Sequence, residues 1–294
     1  MASGSKRPEE GPITTHHDAP YGRFTECSWR PAGLAPWVEA FWYSEGLLTN
    51  LRERLLPNGS LELVLNLGAQ IRMVEGVGAE DLSGGAFSGM LLRAAVLEQP
   101  PVHRVVAVRL RPAGAYALLG MPLVEVLGQF VRLEDLLGRV TSELLERCAV
   151  TRSPEACLRV LARWVSERLV RAAGFDPAIA FVASGIERSG GEAAIAGLAE
   201  RAGLSKGRLA TLFRDQVGTT PKRYARVVRF RRALDLLDAG APSLAEVALG
   251  AGYYDQPHMN ADFRELSGMS PRVLVTSRYP SGTSVLDPSG AEGG

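Results

Sequence analysis

Cysteine is scarce. Three residues among 294 (Cys27, Cys148 and Cys157) cannot make a disulfide framework, and the gap between the last two is not zinc spacing. They read as small buried thiols in a reducing compartment. Long apolar runs are missing as well: nothing approaches the roughly 18 to 20 residues of a membrane helix. The opening stretch MASGSKRPEEGPITTHHDAP has no apolar segment to serve as a signal peptide. A cytoplasmic protein without membrane contact is therefore expected. Net charge nearly vanishes, with 33 basic and 32 acidic residues giving +1, so only the distribution of charge can point to nucleic acid. Catalytic constellations are also lacking. The four histidines are His16, His17, His103 and His258, and none sits in a nucleophile–base pattern. Ser88 lacks the GxSxG elbow. Gly76-x-Gly78 and Gly84-Gly85 lack the lysine and following helix of a phosphate loop. No enzyme, metal site or cofactor is expected.

Hydrophobic residues make up 46% and charged residues 22%, an ordinary globular composition long enough for two domains. Residues 1–20 and 279–294 are polar, rich in Pro or Gly, and read as disordered tails. From about 50 to 111 the pattern is strand-like. Leu61-Glu62-Leu63-Val64-Leu65-Asn66-Leu67 alternates behind the turn signal Leu56-Pro57-Asn58-Gly59, and Arg104 to Leu110 forms a second strand. By alternation Glu62 points outward; pointing inward, it would partner Arg109 or a ligand. Trp29, Trp37, Phe41, Trp42 and Tyr43 cluster as core or subunit interface rather than a ligand cage. From about 113 onward the pattern is helical. Its clearest stretch is Pro154 to Ala172, which opens on the start signal Ser153-Pro154-Glu155. A hinge follows at about 173–177.

The last third contains a repeat. Leu198, Ala199 and Gly203 recur 49 positions on as Val247, Ala248 and Gly252; Phe213, Gly218 and Pro221 recur 50 positions on as Phe263, Gly268 and Pro271. Each copy reads as a helix, a glycine turn, a second helix, a glycine stop and a proline restart. Charge is segregated in the first copy: from Arg201 to Arg232 there are ten basic residues and one acid, Asp215. A solvated face mixes signs, whereas a one-sign stripe on a helix-turn-helix suits phosphate. Between the copies lies one helix, about Lys222 to Leu237, with Val227, Phe230, Leu234 and Leu237 on its apolar stripe. At 1.5 Å per residue it spans roughly 24 Å. With the width of each module added, the two second helices could sit about one DNA turn, roughly 34 Å, apart.

The stretch from Ile195 to Ser277 resembles the DNA-binding domain of the AraC/XylS family of bacterial transcription regulators. The second copy resembles that family's signature region through Ala248-Leu249-Gly250-Ala251-Gly252-Tyr253-Tyr254-Asp255-Gln256-Pro257-His258, Phe263-Arg264 and Gly268-Met269-Ser270-Pro271. Arg54-Leu55-Leu56-Pro57-Asn58-Gly59, its following strand, and Arg109-Leu110-Arg111-Pro112-Ala113-Gly114-Ala115 resemble the N-terminal domain of one subgroup. The resemblance implies an α+β chain. A β-rich sensing or dimerisation domain with helices (21–175) precedes an all-α DNA-binding domain (186–278) of two helix-turn-helix units joined by a long helix. It also implies double-stranded DNA as partner. A small-molecule effector of unknown identity, RNA polymerase and a second copy are compatible with it, and no ligand residues follow. Activation and repression both fit.

In the first copy Lys206 and Arg214 suit phosphate or guanine, Arg208 suits phosphate or is an exposed helix charge, and Thr211 suits a thymine methyl or one hydrogen bond; Lys222 and Arg223 continue the basic stripe. In the second copy Gln256 and Asn260 suit adenine edges, His258 caps or touches phosphate, and Arg264 faces the backbone or pairs with an acid. Gly207, Ala210 and Ala261 carry no hydrogen-bonding side chain. They favour the competing reading, a ligand-binding or interaction protein whose helical domain has lost specific DNA binding. A third reading, an enzyme with an appended DNA-binding domain, has no motif behind it.

Overall fold

The structure, a computed structural model, describes residues 11–170, 174–241, 243–276 and 284–287. Alternating apolar residues build two antiparallel sheets. The first contains β1 (Ile13–Ala19), β2 (Gly22–Trp29) and β3 (Val38–Leu48). Next come β4 (Arg52–Leu55), β5 (Leu61–Asn66), β6 (Arg72–Glu75), β7 (Ala86–Ser88), β8 (Ala95–Glu98) and β9 (Val102–Leu110). After α1 (Pro112–Leu119), β10 (Phe130–Arg132) returns to the sheet, and α2 (Leu133–Leu137), α3 (Arg139–Ala149) and α4 (Pro154–Leu169) follow. The seven-stranded sheet runs β1-β2-β3-β9-β5-β7-β10. The smaller sheet runs β11-β4-β8-β6, where β11 is Ser284–Leu286.

The large sheet has one face on helices and one on the small sheet. On β5, Leu61, Leu63 and Leu65 join the core with Leu158, Leu161 and Val165 of α4. The three cysteines are free and buried in that same core. Glu62, Val64 and Asn66 line a cavity between the sheets. Glu62 is thus inside rather than outside, and Arg109 on the neighbouring β9 pairs with it. The aromatic cluster divides by the same alternation: Phe41 and Tyr43 are buried on the helical side, and Trp42 lines the cavity.

Both terminal expectations need correction. Residues 13–19 are not a loose tail but the edge strand β1, in register from Ile13↔Ser28 to Ala19↔Gly22. Five of its seven residues are exposed, Ile13 to His16 and Asp18, so their polarity fits an edge strand as well as a tail. At the other end β11 pairs with β4. Val285 is buried among Phe230, Met259 and Phe263, and Asp287 is 2% exposed. Residues 1–10, 279–283 and 288–294 of the expected tails lie outside the described residues. The strand content also begins well before 50, in β1 to β3.

The remaining helices are α5 (Pro177–Arg188), α6 (Ile195–Arg201), α7 (Lys206–Val217), α8 (Pro221–Asp238), α9 (Leu244–Gly250), α10 (Gln256–Ser267) and α11 (Pro271–Thr276). α5 is capped by Asp176, whose side chain accepts from the Ala178 amide at 2.8 Å. It packs on α6, α7 and α8, so the helical domain takes in residues ahead of 186.

The two domains meet where α7 packs on α1 and on the turn Leu123–Val126, and again at the stretch Arg54 to Gly59. Leu56 is buried with Phe230, Leu234 and Leu266. Arg231 on α8 donates to the Asn58 carbonyl at 3.1 Å. Arg54 Nη2 lies 3.0 Å from Asp287 Oδ1, with the two side chains 13% and 2% exposed. The Ala94 amide donates to the Leu266 carbonyl at 2.7 Å. Breaking one partner of a buried ion pair strands the other charge. Arg54→Ala is expected to cost about 3 kcal/mol in urea unfolding of the full chain, while a change at the exposed Arg93 leaves the midpoint within about 0.5 kcal/mol.

Candidate nucleic-acid interface

Local chemistry fixes each helix-turn-helix unit. In the first, α6 ends and Gly203 turns the chain with φ +67°, a left-handed conformation suited to glycine. Ser205 then caps α7 by accepting from the Arg208 amide at 3.2 Å. In the second, Gly252 makes the same turn with φ +79°, and Asp255 caps α10 by accepting from the His258 amide at 2.8 Å. Gly218 and Gly268 close the two second helices, and Pro221 and Pro271 begin the next ones.

Helix α8 anchors both units. Phe213 of the first meets Tyr224 edge-on with ring centroids 5.8 Å apart. Phe263 of the second meets Phe230 in the same way at 4.8 Å. Tyr224 is buried and its hydroxyl donates to Glu187; burial, then the nearby carboxylate, pushes its pKa well up. Arg226 reaches from α8 to Asp262 at 2.8 Å and, through Nη1, to Glu265 Oε1 at 2.8 Å.

The basic stripe therefore divides. Arg226, Arg229, Arg231 and Arg232 are only partly exposed and bond inside the protein. Arg201, Lys206, Arg208, Arg214, Lys222 and Arg223 are exposed. Six of the ten cations thus face water, and four hold α8 to its neighbours. The one-sign run in the sequence overstates the charge available to a polyanion.

Both second helices keep their outer positions bare. On α7 Lys206, Gly207, Arg208, Thr211 and Arg214 are exposed and Ala210 is half-buried. The Thr211 hydroxyl donates to the Gly207 carbonyl at 3.2 Å, which leaves its methyl and oxygen lone pair for a contact. On α10 Pro257, His258, Ala261 and Arg264 are exposed, and Gln256 and Asn260 are half-buried. The Asn260 Oδ1 is shielded and unpaired, so this side chain is less available than its spacing suggests. The His258 ring stands edge-on to Tyr253 at 5.3 Å. Tyr254, one residue ahead of the cap, is 88% exposed. Sequence reasoning left it out of the candidate contacts, although an aromatic beside a helix-cap aspartate was visible there.

Residues 198–276 match the family model described as a helix-turn-helix domain. Residues 31–132 match a domain of unknown function, DUF6597. Over 84 residues the chain is 32% identical to the HTH-type transcriptional activator RhaS of Escherichia fergusonii, covering 29% of this chain and 30% of RhaS. The chain thus matches under a third of that relative's length. Among solved structures, ToxT from Vibrio cholerae O395 aligns with 77% of this chain and 95% of its own at 10% identity and a TM-score of 0.46. A probable AraC family transcriptional regulator from Rhodopseudomonas palustris CGA009 aligns with 34% and 96% at 27% identity and a TM-score of 0.32. Two units in register, with a shared helix between them, define a tandem helix-turn-helix domain behind a β-rich domain. In this tandem domain the chain is similar to the helix-turn-helix family model and to part of that transcriptional activator.

The hydrogen bond from Arg226 holds the Glu265 carboxyl below its usual pKa. Its contribution is therefore full above the unfolded-state value, near pH 4.3, and fades as the pH falls through the lower folded value. Both partners are substantially exposed, at 32% and 50%, so the term is small. Glu265→Gln is expected to lower stability by less than about 1 kcal/mol at pH 7. The difference from wild type should disappear toward pH 3, as checked by urea unfolding at the two pH values.

Proposed function

We propose that this chain is a sequence-specific, DNA-binding transcription regulator, not an enzyme, that lays α7 and α10 into successive major grooves. The observation that carries the reading is that both recognition helices are capped, buried on one side and bare on the other. Neither outer face is covered by the chain's own β-rich domain among the described residues. Helix α8, with 18 residues, spans about 27 Å. With the width of the two units added, that length suits one turn of DNA.

The contacts divide by chemistry. Lys206, Arg208, Arg214, Lys222, Arg223 and Arg264 are exposed cations and grip phosphate, with Lys206 and Arg214 also able to reach guanine. Gln256 reads an adenine edge, Asn260 does so only once its shielded amide turns outward, and Thr211 offers a methyl to thymine. His258, at the start of α10, touches phosphate. Tyr254 adds a contact ahead of that helix. Gly207, Ala210 and Ala261 supply no hydrogen bond, so base reading is concentrated in few side chains. The β-rich domain modulates this activity through a ligand or through self-association, in the cytoplasm, and the bound regulator acts on RNA polymerase.

The competing reading, an interaction protein without specific DNA binding, rests on those three small residues. Salt-titrated binding to a selected site and to its scrambled version decides between them. Gln256→Ala is expected to weaken the selected site by about 1 to 3 kcal/mol and leave the scrambled DNA unchanged. Lys222→Ala is expected to weaken both alike and reduce the salt slope by about one unit. Equal affinity of the wild type for the two DNAs contradicts specific recognition.

A further inference from the structure

The cavity between the two sheets has a volume of about 350 Å³, within the range of small-ligand sites. Its apolar walls include Phe24, Leu55, Val64 and Phe130. A void left by imperfect packing is lined by apolar groups and stays dry. This one is different, because polar groups with nothing to bond are built into its wall. The Trp42 Nε1 donor is shielded from solvent and unpaired. His103 is 6% exposed; its Nε2 is 2.7 Å from Ser44 Oγ, and its Nδ1 is shielded and unpaired.

The wall carries three acids, Glu26, Glu53 and Glu62, against two arginines, Arg30 and Arg109. Glu62 has Arg109 as its partner, and Glu26 faces His17 Nε2 at 3.2 Å. Glu53 differs: it accepts a hydrogen bond from Gln99 Nε2 at 2.8 Å and makes no ion pair among the described residues. Burial pushes its pKa up, against the hydrogen bond from Gln99. Burial likewise lowers the pKa of His103, so its ring adds no positive charge at neutral pH. An acid without an ion-pair partner, lining the same cavity as an indole with a free donor and several aromatic rings, suits a cationic aromatic molecule.

We propose that the cavity binds a small organic amine with an aromatic body, its ammonium group on Glu53 and its ring against Trp42. An oxygen on the ligand, where present, takes the Trp42 N–H. The placement also supplies a route to the DNA-binding half. Glu53 lies on β4, and the next residue, Arg54, points to Asp287. Glu53 pairs in register with Leu286 of β11, beside Val285 in the core of the second helix-turn-helix unit. A ligand on Glu53 is therefore one strand away from the packing of α10.

This inference rests on reading the chain as an effector-responsive regulator. Calorimetry on the full chain without DNA keeps the two questions apart, because lost DNA recognition and an empty cavity then give separate results. The probes are tyramine and tryptamine, against the carboxylates of the same rings, hydroxyphenylpropionate and indolepropionate. The amines are expected to bind saturably, and the carboxylates about tenfold more weakly or not at all. Glu53→Gln is expected to weaken the amines by about tenfold, the loss of one charged hydrogen-bonded partner. Trp42→Phe keeps an aromatic ring and removes the donor, so it should weaken tyramine more than tryptamine. It serves as the independent test should Glu53→Gln fail to fold by circular dichroism. Absence of binding by both amines, carboxylates that bind as well as the amines, or amine affinity unchanged in the variants overturns the proposal.

Discussion

Everything in the C-terminal half is organised by the packing of two aromatic rings on one helix. Tyr224 and Phe230 stand on α8 and meet Phe213 and Phe263, one from each recognition helix. An α-helix is stiff over its length of about 27 Å, so these two contacts set where the recognition helices can be. Four arginines then tie the same helix to its surroundings. Remove the rings and each unit becomes a short helical hairpin with too small a core to hold its own angle. The spacing of the two units is thus a property of side-chain packing on α8 rather than of the units themselves.

The same helix carries part of the junction with the β-rich domain, and α7, packed on α1 and the turn Leu123–Val126, carries the rest. Leu56 enters its core from β4's end, and Asn58 accepts from Arg231. The tail strand β11 closes the joint from the other side, with Val285 in the core and Asp287 on Arg54. Strand β4 has two faces with different work. Glu53 and Leu55 look into the cavity, and Arg54, with Leu56 just past the strand's end, looks toward the helical domain. A strand of four residues with this alternation can transmit a change in one chamber to the other, because its side-chain period is two.

Much of this was legible in the sequence, for identifiable reasons. The repeat was readable because glycine at a left-handed turn and proline at a helix start are local requirements. Gly203, Gly252, Pro221 and Pro271 fulfil them. The strand at Leu61 was readable because its two faces differ in polarity, but its sense was not. Glu62 turns inward because a cavity, invisible to alternation, lies on that side and Arg109 meets it there. β1 and β11 escaped because edge strands can be polar and gain their order from a neighbour far away in sequence. Val285 is buried by contact with residues some 20 to 55 positions away, which no local pattern encodes. Charge counting found the basic stripe but could not tell Arg226, which bonds to Asp262, from Arg223, which faces water. Partners 36 residues apart decide that difference.

The central claim is that one chain grips one face of a duplex at two successive major grooves. Hydroxyl-radical and base-modification footprinting of the full chain on a selected DNA site tests it most directly. The account predicts two protected patches on the same face, with centres about ten base pairs apart and major-groove contacts in each. A single patch, or two patches half a turn apart on opposite faces, contradicts it.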